Sequence, residues 1–148
     1  MITHVELALR MGMAAILGGL VGIEREYVGK AAGFRTHALV SAGSSLIMIV
    51  SIYIYEVYKA QGAQTDPSRI AAQVVSGIGF LGAGAIIRSG AGVVVGLTTA
   101  ASLWACAAIG LASGSGYYEG AFIGTLVVLI ILVLFQKAEK FLIRKSKS

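Results

Sequence analysis

The chain has 148 residues, 57% of them hydrophobic and only 13% charged, with a net charge of +5 and a mean hydropathy of +0.84. A soluble domain carries about 25% charged residues, so this composition excludes one and makes lipid the solvent for much of the surface. Twenty glycines against one proline suit close helix packing in a membrane, and the apolar content excludes a disordered chain.

A membrane-spanning helix needs about 20 mostly apolar residues, at roughly 1.5 Å rise each. Five stretches meet that length. The first, about 5–23, is the least apolar, because Glu6 and Arg10 lie in its first turns; four apart with Glu leading, they are spaced for an ion pair. It has no basic start and no small-residue cleavage site, so it reads as a span and not as a cleaved signal. The second, about 36–58, carries Ser41, Ser44, Ser45 and Ser51. The third, about 67–87, begins where Asp66 can cap and Pro67 suits the first helical position. The fourth covers about 93–112. The fifth, about 117–135, is the most purely apolar. The predicted fold is therefore all-α and polytopic, with a five-helix transmembrane domain over 1–136 and a basic cytoplasmic tail over 137–148.

Orientation follows from where Lys and Arg collect. Arg25, Lys30 and Arg35 lie in the first connection, Arg88 in the third, and Lys137, Lys140, Arg144, Lys145 and Lys147 in the tail; with five spans all share one side. The opposite side has Lys59 and Arg69, with Arg10 near it. This predicts the N-terminus outside and the C-terminus in the cytoplasm. It also explains the positive charge by topology, with no nucleic-acid partner.

Two stretches carry the polar residues. In the third, Arg69 and Gln73 lie one turn apart and Ser76 continues their face, with Asp66 three residues before Arg69. Such a stripe faces other helices or water, not lipid. Gly77, Gly79, Gly82 and Gly84 follow; the bland reading is tight helix packing, the sharper one a broken helix lining a binding site, as in many transporters. In the first connection Glu24 and Arg25 close one span while Arg35 and His37 open the next, so the two ends meet at one level of the membrane, on the side of Arg88. Snorkelling anchors account for these charges; a Glu–Arg network that binds a partner, headgroup or ion is the functional reading. Small residues also repeat four apart at Gly18 and Gly22, Gly92 and Gly96, Gly110 and Gly114, and Gly120 and Gly124, which favours a compact bundle and a homo-oligomer.

Catalysis has little to work with. HExxH, GxSxG and a Cys–His pairing are all missing, and Cys106 reads as a small buried hydrophobe. No enzyme activity, cofactor or resident metal is expected. An all-oxygen cation site would have to draw on Glu56, Asp66 and Glu119 near the outer face.

The residues Gly18 to Glu26, Ala32-Gly-Phe-Arg-Thr-His37, Asp66-Pro-Ser-Arg69, Gln73 through Ile87 and Gly96-Leu-Thr-Thr-Ala-Ala-Ser-Leu-Trp104 resemble the MgtC/SapB family of bacterial membrane proteins over about residues 10–136. The resemblance implies a multi-pass protein of the bacterial plasma (inner) membrane, associated with growth in low magnesium and with survival of pathogens inside host cells. It further implies regulation of other membrane machinery, the F-type ATP synthase included, and marks Glu24, Arg25, Arg35, Asp66, Arg69, Gln73 and Arg88 as the polar positions that matter. Longer members carry a soluble C-terminal domain that this sequence does not show, so the chain reads as a short member. The leading expectation is a regulatory or interaction protein contacting itself or a larger complex amid membrane lipid; the rival is a small Mg²⁺-type cation channel or transporter.

Overall fold

The computed structural model describes residues 2–63, 65–88 and 94–138. Five helices follow in order: α1 (His4–Tyr27), α2 (Phe34–Ala60), α3 (Ser68–Ala85), α4 (Leu97–Ser115) and α5 (Tyr118–Ile130). The last continues through a π-helical turn, Ile131–Phe135, to Ala138. Two-residue strands β1 (Ile87–Arg88) and β2 (Val94–Val95) pair antiparallel between α3 and α4.

Helix α1, α2, α4 and extended α5 are each long and apolar enough to cross a bilayer. Large apolar side chains cover the outside of the bundle, among them Leu39, Phe80, Trp104 and Ile123. The molecule is thus a mostly helical, polytopic membrane protein. Helix α3, with 18 residues that include Arg69 and Gln73, is not among those four. Its direction is nonetheless set by contacts. Ser51, late in α2, donates to the carbonyl of Pro67 just before α3, and Gly82, late in α3, faces Ala100 in the first turn of α4. Helix α3 therefore runs antiparallel to both, from one end of the bundle to the other.

The boundaries around α3 and α4 correct the sequence reading. The third helix stops at Ala85 and the fourth begins at Leu97, not near residue 93, which lies outside the described residues. The reason is Gly96, at φ +96°, where the Ala85 carbonyl occupies the space a Cβ would need. Only glycine adopts that backbone under that carbonyl. Nor is α3 broken: it is continuous α-helix through Gly77, Gly79, Gly82 and Gly84.

Helix α4 is the hub, packing against α1, α2, α3 and α5. Apolar clusters lie on either side of it. One joins Leu17 and Val21 to Cys106, Ile109, Ala121 and Leu132; the other joins Val74 and Ile78 to Leu103 and Ala107. Between them α1, α2 and α4 meet with almost no side chain. A Cβ on Gly18 would lie 2.5 Å from the Ser41 Cβ and 2.7 Å from the His37 carbonyl. One on Gly110 would lie 2.8 Å from the carbonyl carbon of Ser41, and one on Gly114 2.5 Å from the Ser45 carbonyl oxygen. Two of the four-residue glycine pairs read from the sequence, Gly18 with Gly22 and Gly110 with Gly114, thus build this seam.

Gly110→Ala drives a methyl into the α2 backbone and should destabilise the bundle by about 1–3 kcal/mol or more. Gly77→Ala, with nothing within 4 Å of its Cβ, should leave the fold unchanged. Thermal unfolding of the two variants in detergent, followed by circular dichroism, checks the contrast.

Candidate functional site

The ends of α1, α2 and α4 build one polar centre. Helix α1 closes on a turn in which Gly29, at φ +68°, donates to the Glu26 carbonyl while Lys30 N–H donates to that of Arg25, 3.0 Å away. Glycine at this left-handed position closes the helix and satisfies its last carbonyls. Arg25 is only 2% exposed. Its Nε and Nη2 both donate to the neighbouring Glu24 carboxylate, the latter at 2.6 Å. A buried guanidinium requires such a partner, since an unpaired buried charge costs several kcal/mol.

His37, in the first turn of α2, is fully buried. Its Nδ1 donates to the Gly33 carbonyl at 2.9 Å, and Nε2 lies 2.9 Å from the Ser102 hydroxyl on α4. Ser102 also lies 2.8 Å from the Thr99 carbonyl. Its single hydroxyl proton serves either the ring or the carbonyl. His37 thereby ties α2 to α4 where Gly22 of α1 passes 3.0 Å, measured from its would-be Cβ, from the His37 Cβ.

This centre departs from the predicted cluster. Glu24, Arg25 and His37 are brought together, but the Glu–Arg pair lies between neighbours on α1 and does not bridge two helices. Arg35 points outward and pairs with no described residue. The side chain of Arg88 lies outside the described residues. Sequence reading missed Ser102, one hydroxyl among many in apolar segments. It also missed Glu26, whose Oε2 accepts from Phe34 N–H at 2.8 Å and so caps α2, because Gly33 has no side chain to do it.

The other end is arranged differently. Asp66 accepts from Ser68 N–H at 2.8 Å and from Ser68 Oγ at 2.9 Å, so it holds the first helical amide as expected, although Pro67 takes the N-cap position and not the first helical one. These two bonds, the hydroxyl first, hold its carboxyl below the ordinary value of 3.8, with a smaller contribution from Arg69. No Asp66–Arg69 ion pair forms within reach, and Arg69, Gln73 and Ser76 are all exposed on the single chain. Gly77, Gly79 and Gly84 meet nothing within 4 Å, while Gly82 comes into ordinary contact with Ala100. The packing surface predicted from these glycines is thus, apart from Gly82, not used among the described residues. Across the bundle the Glu6–Arg10 pair forms as the spacing predicts, and Arg10 Nη1 also donates to the Gly114 carbonyl at 2.7 Å, capping α4. Among the described residues no three His, Cys, Asp or Glu gather, so Glu56, Asp66 and Glu119 do not form the cation site that their sequence position suggested.

Ser102→Ala removes the partner of a buried ring nitrogen and should cost about 1–3 kcal/mol; Ser102→Thr, which keeps the hydroxyl, should recover part of it in the same melting assay. For Asp66 the folded-state carboxyl is the stronger acid. The cap is therefore complete above the unfolded value and is lost as pH falls through the lowered one. In ¹⁵N-labelled protein the Ser68 amide should titrate with a midpoint below 3.8, a transition that Asp66→Asn abolishes.

Comparison with known proteins places this geometry. The chain is 46% identical over 142 residues to "Putative magnesium transporter YhiD" of Escherichia coli strain K12, covering 95% of this chain and 66% of that protein. It is 42% identical over 130 residues to Protein MgtC of Salmonella typhimurium LT2, covering 88% and 52%, and 40% identical over 126 residues to Protein SapB of Bacillus subtilis, covering 84% and 54%. The chain thus spans less than two thirds of the length of each. No solved structure matches it. The profile of the MgtC family matches residues 11–141, nearly the whole helical bundle, and the chain belongs to that family.

Proposed function

We propose that this protein is a non-enzymatic interaction protein of the bacterial plasma membrane, tied to magnesium homeostasis or stress adaptation, that works through α3. The observation that supports this reading is the unused face of that helix. Arg69, Gln73 and Ser76 are exposed in line, and Gly77, Gly79 and Gly84 leave the backbone below them open. Polar groups are costly against hydrocarbon, and bare glycine backbone favours close approach of another helix. On this reading α3 is a fifth span, the Lys and Arg of the first and third connections and the tail lie in the cytoplasm, and the face is covered by a second copy or by a larger complex such as the F-type ATP synthase. The names of the relatives support the link to magnesium.

A second reading, cation transport, draws support from an open cavity of about 550 Å³ lined by Thr65, Asp66, Arg69 and Ile70 at the start of α3. The Arg69 guanidinium at that mouth repels cations, and beyond Gln73 the helix offers only hydroxyls and backbone, which favours the first reading.

Cysteine placed at Gly79 should crosslink to another membrane polypeptide in native membranes. Gly79→Leu should weaken that association about tenfold or more without changing melting of the isolated chain. An uncrosslinked monomer throughout would defeat the interaction reading. Mg²⁺ flux into liposomes above empty vesicles, lost in Asp66→Asn, would install the transport reading in its place.

A further inference from the structure

A second polar cavity, of about 300 Å³, opens where α1 ends, α4 begins and the π-helical turn closes α5. Arg25, Lys30, Thr98 and Gln136 line it together with Ile131, Leu132 and Phe135. It belongs neither to the His37–Ser102 bridge nor to the α3 face.

Three features of this wall favour an anion. Arg25 is nine-tenths buried and more, and spends Nε and Nη2 on Glu24; among the described residues its Nη1 donates to nothing. Lys30 adds a cation that the Glu24–Arg25 pair does not cancel, and the Lys30 N–H bond to the Arg25 carbonyl fixes it beside that pair. Thr98 lies in the first turn of α4, whose N-cap is Gly96 and has no side-chain cap. The first amides of such a helix carry about half a positive charge and receive oxyanions well. Guanidinium, ammonium, hydroxyl and the Gln136 amide all donate, which is the donor set that a tetrahedral oxyanion takes. The volume is at the small end of roughly 300–1,000 Å³ for ligand sites. It suits a phosphate group rather than a nucleotide, and the apolar Ile131, Leu132 and Phe135 suit the first acyl carbons of a lipid. π-Helical turns recur at functional sites because they realign the side chains after them.

We propose that this cavity is a phosphate site, filled by the headgroup of an anionic phospholipid or by a free phosphate. The full chain, purified in uncharged detergent, is titrated with phosphatidylglycerol in mixed micelles and, separately, with inorganic phosphate, with diacylglycerol as the phosphate-free comparison, and binding is read by calorimetry and ³¹P line-broadening. Saturable binding of either phosphate probe, weakened about tenfold in both Lys30→Ala and Thr98→Val, is the expected result. Lys30 and Thr98 are exposed, so both variants should keep the wild-type melting temperature. Binding of the lipid alone assigns a headgroup; binding of both assigns phosphate itself. The proposal is overturned if neither probe saturates, if diacylglycerol binds as well, or if Lys137→Ala, an exposed cation outside the cavity, weakens binding as much as Lys30→Ala.

Discussion

The close approach of the α2 backbone to α1 and α4 is the constraint on which the rest of the structure depends. In a bilayer the hydrophobic effect gives helices no reason to leave lipid for one another, so association rests on van der Waals contact at short range. Gly18, Gly110 and Gly114 provide that range by leaving no Cβ to hold the helices apart. Ser41 and Ser45 opposite them are fully buried, and their hydroxyls hold no hydrogen bond to a described residue; the seam takes their small size. Once this seam is closed, the start of α2 must lie beside the start of α4, and the end of α1 must meet both. The His37–Ser102 bridge and the Arg25 cavity follow from that alignment.

Polar groups inside the bundle are economical. Most bond within a turn or to a neighbouring backbone: Ser44 to the Val40 carbonyl, Thr125 to that of Ala121, Ser113 to that of Arg10. Such bonds satisfy a hydroxyl without requiring a second polar side chain in hydrocarbon. The two cationic groups drawn into the bundle, buried Arg25 and half-buried Arg10, are handled the same way. Each lies near a helix end, pairs with a carboxylate on its own helix, and borders a region where helices start or stop. The bundle therefore keeps its middle nearly free of charge and concentrates its chemistry at its two ends.

Helix α3 stands apart from this economy. It packs Val74, Ile78 and Gly82 inward, yet leaves Arg69, Gln73 and Ser76 on the outside. Its glycines look like those of the seam in sequence, but Gly77, Gly79 and Gly84 meet no neighbour among the described residues. A helix that leaves polar side chains and open glycines outside its own bundle is the physical ground on which the interaction reading is proposed.

What the sequence by itself determined was solvent and repeat. Scarce charge and long apolar stretches specify helices in lipid, because backbone groups there must bond within their own segment. Glu6 leading Arg10, Asp66 before α3, and the glycine pairs at 18 and 22 and at 110 and 114 are short-range signals, and each formed as spacing required. What only the tertiary structure decided was which residues meet across helices. Neither Ser102 facing His37 nor Lys30 sharing a cavity with Thr98 and Gln136 has a periodic signature, since the helix pairs that bring them together are chosen by shape at the α1–α2–α4 seam. The same reason separates glycines that look alike: Gly110 is buried against a carbonyl and Gly79 is bare, and nothing in their flanking residues distinguishes a glycine that packs inside the chain from one that does not.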